Sequence, residues 1–299
     1  MMRGLFLERH MEWTPGLYSA WRMIFGGYLC LHFLQLLPWA MELWSNVGVL
    51  PHGGDSPLQL PVHLYALSDR PLFVTVSIVV AALLSLQLAL GIADRTAAFL
   101  LWYILASLLA RNPLISNPGI PFVGWLLLAH IVVPPVRTVA NELPAAWPPQ
   151  PRWRMPPALW ASAWAIMALS YSYSGYHKLQ SQSWVDGTAL MRMLDSPLVR
   201  DTLLREVLQG LHEYVLGFLT WAALALELLY APLALIRALR PWLWLGMVLM
   251  HLALLMLADF VDLSLAMLMI HFFTFNPGWL TLRVPLRRRA WRMEADASA

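Results

Sequence analysis

Apolar runs long enough to cross a bilayer recur along this whole chain, and that recurrence constrains the fold more than any motif. A spanning helix needs about 20 predominantly apolar residues, because the hydrocarbon core is ~30 Å thick. Eight segments meet or approach that length: 17–44, 72–92, 96–110, 119–134, 157–177, 215–236, 242–258 and 261–276. The third and fourth, at 15 and 16 residues, barely reach across the core. Hydrophobic residues make up 59% of the 299 positions and charged residues 12%, against about 25% charged in an ordinary soluble domain. Hydrocarbon offers the backbone no hydrogen-bond partner, so such segments fold as helices. The expected class is all-α: a polytopic membrane bundle of about eight transmembrane helices, embedded in the lipid bilayer. No internal repeat, low-complexity tract or soluble domain interrupts it, and nothing points to nucleic acid.

Charge sets the expected orientation. With the N-terminus inside, the inner segments hold 13 basic residues (Arg3, Arg9, Arg95, Arg137, Arg152, Arg154, Arg237, Arg240, Arg283, Arg287, Arg288, Arg289 and Arg292). The outer segments hold six: Arg70, Arg111, Lys178, Arg192, Arg200 and Arg205. This excess predicts both termini on the cytoplasmic side of a cell (inner) membrane. The N-terminal stretch lacks an apolar core followed by a cleavage site, so the first span is expected to do the targeting. Residues 1–280 read as one transmembrane domain and 281–299 as a basic cytoplasmic tail. Cys30, the sole cysteine, lies inside the first span and excludes an internal disulfide or a CxxC site.

Two outer segments are more than turns. Residues 45–71 are rich in Pro and Gly and read as an ordered cap. Residues 196–211 ("SPLVRDTLLREVLQGL") predict an amphipathic interfacial helix with Ser196 as N-cap and Pro197 in its first turn. Val199, Leu203, Leu204, Val207, Leu208 and Leu211 form its apolar face; a helix that docks on a partner is the other reading.

Ionisable groups inside spans are costly and mark functional positions. Arg22 lies in the first span and Glu227 near the middle of the sixth, and the simplest way to satisfy both is an Arg22–Glu227 pair. His130, His251 and His271 lie in the fourth, seventh and eighth spans. His251 and His271 fall at similar depth, where they read as hydrogen-bonded core histidines or, less simply, as haem or metal ligands. No HxxxH or HExxH spacing supports a metal, and none is predicted. Asp259 and Asp262 fall in the hairpin at the outer mouth, either as solvated turn residues or facing Lys178.

Lys178 is the only lysine; the other 19 of the 20 basic residues are arginine. Arginine would snorkel to an interface equally well, so the exception asks for chemistry that guanidinium cannot perform. A lysine in a low-dielectric site is driven toward the neutral amine, a free base, whereas arginine stays charged.

The segment "SGYHKLQSQSWVDGTAL" resembles the signature of the vitamin K-dependent gamma-carboxylase family and its bacterial relatives, the horizontally transferred transmembrane (HTTM) domain proteins. The matching residues are Gly175, Lys178, Leu179, Trp184 and Gly187. Further pieces follow in the same order: "AWRMIFGG" with Arg22, "NVGVLP", "ARNPLISNPG" with Arg111 and Asn112, Glu227, and "LMHLALLML" with His251. The resemblance covers residues from about 15 to 280. It implies that Lys178 deprotonates a reduced quinone of the vitamin K or menaquinol kind. The quinol then reacts with O₂, and the resulting alkoxide removes a γ-proton from glutamate, which captures CO₂. His251, Tyr176, His177 and Trp184 would shape the quinol pocket, with Arg22, Glu227, Asp259, Asp262, Arg111 and Asn112 in support.

Two departures qualify that expectation. The carboxylases carry a large extracytoplasmic region after the membrane domain that is not expected here, which puts peptide-directed carboxylation in doubt; a separately encoded substrate or partner protein on the outer face could supply the specificity. The turn 111–120 also lacks the histidine expected near the quinone. The rival readings are a non-catalytic membrane subunit or small-molecule transporter, and a haem-binding electron carrier built on His251 and His271.

Overall fold

A computed structural model describes residues 13–51, 63–136 and 153–280. The basic segment 281–299, the middle of the expected 45–71 cap and the charges Arg3, Arg9, Arg137 and Arg152 lie outside the described residues. Within them the chain is helical, and the only extended pairing is a bridge between Val199 and Ala258.

The first half comprises α1 (Pro15–Leu36), the short α2 (Ala40–Trp44) and α3 (Leu64–Leu67), then α4 (Pro71–Leu90), α5 (Asp94–Arg111) and α6 (Ile120–Val132). The second comprises α7 (Pro157–Lys178), the short α8 (Gln182–Val185), α9 (Ala189–Leu194) and α10 (Leu203–Gln209), then α11 (Glu213–Leu228), α12 (Tyr230–Ala234), α13 (Arg240–Leu257) and α14 (Val261–Thr274). Proline opens α1, α4 and α7, where its missing N–H costs nothing and its fixed φ suits the first turn. Proline also explains two breaks. Pro38 sits in the 3₁₀ turn between α1 and α2, and Pro232 lies in the offset turn of α12 that ends the straight run of α11.

α1 lies along α4, α4 along α5 and α5 along α6, while α7 packs on α11 and α12. α14 joins the two halves by touching α1, α6, α7 and α13. The α4–α5 turn is sharp because Gly91 adopts φ 75°. A Cβ there would come within 2.4 Å of the Arg22 guanidinium.

Aromatic rings fill both halves. Trp21 stacks on Tyr18 and Phe25, and Trp164 on Tyr230, with all five fully or almost fully buried. Large apolar side chains also face outward on most long helices, among them Leu72, Leu83, Leu169, Phe218, Trp242 and Met256. Three helical stretches, Pro15–Trp44, Pro71–Leu90 and Arg237–Leu257, are long and apolar enough to cross a membrane by length and composition, or four if the bent pair Leu203–Gln209 and Glu213–Leu228 counts as one. α6 and α14 are apolar but short, at 13 and 14 residues.

The expected helix over 196–211 is corrected to α10 alone. Thr202, not Ser196, caps it by accepting from Arg205 N at 3.3 Å. Val199 instead forms an antiparallel bridge with Ala258: Arg200 N donates to Leu257 O and Leu198 O accepts from Asp259 N, both at 2.9 Å. Arg200 also donates to Ala258 O at 2.6 Å, which satisfies a carbonyl left open at the end of α13. Buried Val199 gains more from this pairing than from an exposed helix face, and Leu203 and Val207 remain exposed.

Candidate functional site

The site is built on one face of α7. Trp160, Trp164, Ala168, Tyr171 and Gly175 recur at helical spacing and are buried, and Lys178 continues the row one turn further. Gly175 is what brings α7 against α11. A Cβ on it would lie 2.5 Å from Leu228 N and 2.7 Å from Leu228 Cα, so any other residue would force the two backbones apart. Ser172 reinforces the approach by donating to Glu227 O at 3.3 Å and accepting from Ala231 N at 2.9 Å.

That closeness lets Lys178 Nζ donate to Glu227 Oε1 in a short ion pair. Glu227 is all but buried, at 5% side-chain exposure, whereas the lysine side chain is 24% exposed. The second carboxylate oxygen, Oε2, is buried without a partner. Nζ also lies 4.5 Å from the centre of the Trp184 ring, a cation–π distance. Trp184 is held there by the turn that follows. Asp186 accepts from the Thr188 hydroxyl and amide, which hold its carboxyl below the usual carboxylate range. Gly187 takes φ 80°, where a side chain would strike Trp221, and Trp221 donates to Val185 O at 3.1 Å.

Lys178 opens into a cavity of about 740 Å³ between α6 and α7. Phe122, Trp125, Ile166 and Tyr173 supply apolar walls, and Ser174 and His177 supply polar groups. The result is an amine, backed by a buried carboxylate, at one end of a mostly apolar chamber. Such a site suits a flat apolar molecule with one acidic hydroxyl or carbonyl group.

The expected site residues divide. Lys178, Glu227, Trp184 and His177 come together. Tyr176, expected at the pocket, is exposed and does not line it, because it sits two residues from Lys178 and so faces away from it. His251 does not line it either. Tyr171 Oη bridges His251 Nε2 at 2.8 Å and His271 Nε2 at 2.7 Å, deep in the bundle. A hydroxyl has one proton, so one histidine accepts from Tyr171 and the other donates to it.

The expected Arg22–Glu227 pair is replaced. Arg22 Nη1 bonds Asp94 Oδ2 at 2.9 Å, and Asp94 lies 3.4 Å from His130 Nε2, whose Nδ1 meets Tyr18 Oη at 2.7 Å. Asp94 opens α5 and reaches Arg22 across Gly91, at the end of the bundle away from Lys178. Asp259 is exposed, as the solvated-turn reading had it. Asp262 does not face the lysine, because His32, Tyr28 and Asn117 take its carboxylate. Arg111 and Asn112 serve the chain elsewhere: Arg111 donates to Ser45 O at 3.1 Å and Asn112 to Leu43 O at 2.8 Å, pinning the segment after α2.

Sequence reading missed Tyr171, Tyr173 and Asp94. Tyr171 was findable, seven residues before Lys178 and therefore on its face; Tyr173 carries no such signal. Among the described residues no three His, Cys, Asp or Glu side chains are grouped to hold a metal. No family model, curated protein or solved structure matches the chain.

Proposed function

We propose that this protein is a multi-pass membrane enzyme of the carboxylase-related HTTM type, in which Lys178 acts as a base on a reduced quinone. The observation that supports this reading is the pairing of the only lysine with buried Glu227 at the end of an aromatic-walled cavity. The eight helices α1, α4, α5, α6, α7, α11, α13 and α14 would be the eight spans, with the bilayer locally thinned around the short α5, α6 and α14. Both termini would be cytoplasmic, and the lysine end would face the outer side of the inner membrane, where a separately encoded protein would bring the group to be modified.

The residues fit a quinol. Phe122, Trp125 and Tyr173 would clasp the ring, and Trp184 would confine the amine against it. A bound quinol would supply an acidic hydroxyl and two reducing electrons for O₂, with CO₂ the co-substrate if carboxylation follows. Lys178 would take the hydroxyl proton at Nζ. Glu227 makes that feasible within a poorly hydrated site: moving a proton between Nζ and Oε1 converts a zwitterionic pair into a neutral one, and both have zero net charge. Arginine would form the ion pair but could not then act as a base.

Oxygen uptake with a reduced naphthoquinone, measured on purified protein in nanodiscs, tests this directly. Wild type should turn over, and Lys178→Arg and Lys178→Met should each lose about 10²-fold or more, the usual scale for a general base. A Lys178→Arg variant with wild-type uptake, or a folded wild type with none, would sink the proposal.

A further inference from the structure

The best-built polar cluster outside the lysine site surrounds Asp262 at the start of α14. Its Oδ1 accepts from Tyr28 Oη at 3.0 Å and meets His32 Nδ1 at 2.6 Å, and its Oδ2 accepts from Asn117 Nδ2 at 2.7 Å. An ionised carboxylate is acceptor-only, so His32 Nδ1 carries the proton. In the neutral ring Nε2 is then a free lone pair, oriented as carboxylates orient histidines in many sites. His32 is 5% exposed, and its Nε2 makes no hydrogen bond to any described residue. It is also not among the fully enclosed unpartnered atoms.

His32 lines a second cavity of about 210 Å³. Leu36, Trp44, Leu105 and Leu108 give it apolar walls. The volume lies below the roughly 300–1,000 Å³ of sites for drug-sized ligands. The segment 117–122 separates it from the lysine cavity: Asn117 and Ile120 face the small chamber, Pro118, Pro121 and Phe122 the large one.

We infer that this second chamber is a binding site for a small apolar alcohol or phenol, whose hydroxyl donates to His32 Nε2 while its hydrocarbon part lies against Leu36 and Leu105. The chamber does not suit an ion: apart from Ser116, Asn117, His32 and Asp262 its lining is apolar, and the Asp262 charge is already met by three donors. The site is independent of the proposed chemistry at Lys178.

Carbethoxylation of histidines by diethyl pyrocarbonate, read by peptide mass spectrometry on the full-length protein in nanodiscs, tests it. Exposed His212 serves as the internal rate reference. His32 should label despite its burial, unlike buried His130, His251 and His271, none of which lines either of these two cavities. Phenol should abolish labelling of His32 and leave His212 unchanged, while toluene, of the same shape without the hydroxyl, should not protect. Asp262→Asn should slow His32 labelling about tenfold, because its one oxygen cannot serve three donors. An unlabelled His32 in the free protein, protection by toluene equal to that by phenol, or Asp262→Asn labelling at the wild-type rate would each overturn the inference.

Discussion

At the residue scale the governing fact is that Glu227 is buried while its partner is partly open. Removing the lysine strands a carboxylate in the bundle, and uncompensated buried charges of this kind cost about 3–5 kcal/mol. Because Lys178 is a quarter exposed, water reaches part of the pair, and the lower end applies. Lys178→Met is therefore expected to lose about 3 kcal/mol in denaturation, and Lys178→Met with Glu227→Gln to recover most of that. A double variant as unstable as the single would show that the pair is not what holds α7 to α11. Gly175→Ala probes the same contact from the backbone side: its Cβ meets main chain, which cannot rotate away, so a loss of about 1–3 kcal/mol is expected. The melting temperature of the purified protein would reveal it, and an unchanged value would mean that α11 has room to move.

At the element scale the two glycines of "FGG" in α1 make opposite predictions. A Cβ on Gly26 would lie 2.7 Å from Ala89 N on α4, whereas one on Gly27 would meet nothing within 4 Å. Gly26→Ala should therefore separate α1 from α4 and destabilise by about 1–3 kcal/mol. Gly27→Ala should be neutral or gain up to about 1 kcal/mol from helix propensity. Thermal unfolding of the two variants side by side checks the pair, and equal effects would place α1 wrongly against α4. The same contact explains why Arg22 does not reach Glu227. The α4–α5 turn passes beside Arg22 at Gly91, and Asp94 is then the nearest carboxylate. A one-dimensional reading ranks candidate partners by depth in the membrane. It had no means of knowing that α1 and α11 lie in different halves of the fold.

For the whole molecule, the outward-facing leucines and aromatics on nearly every long helix would form a surface that needs lipid or detergent. Membranes washed with carbonate should retain the protein. In a Cys30→Ser background, a cysteine replacing exposed Asp259 should react with an impermeant maleimide added outside intact cells, and one replacing Arg154 should not. The reverse pattern would invert the orientation on which the proposed site depends.

What the linear chain determined by itself depends on near neighbours, although the 196–202 stretch was settled by its pairing with the end of α13 instead. Apolar runs placed the long helices, prolines marked where several begin or bend, and the lone lysine stands out against 19 arginines. It also favoured partners for Arg22 and Glu227, because burying an unpaired charge is costly. Only the tertiary structure decided who those partners are. Lys178 meets Glu227, 49 positions away, because Gly175 allows two backbones to touch. Tyr171 joins two histidines that the sequence could only place at similar depth. Which side chains share a space depends on the packing of helices distant in sequence, and no local periodicity encodes that.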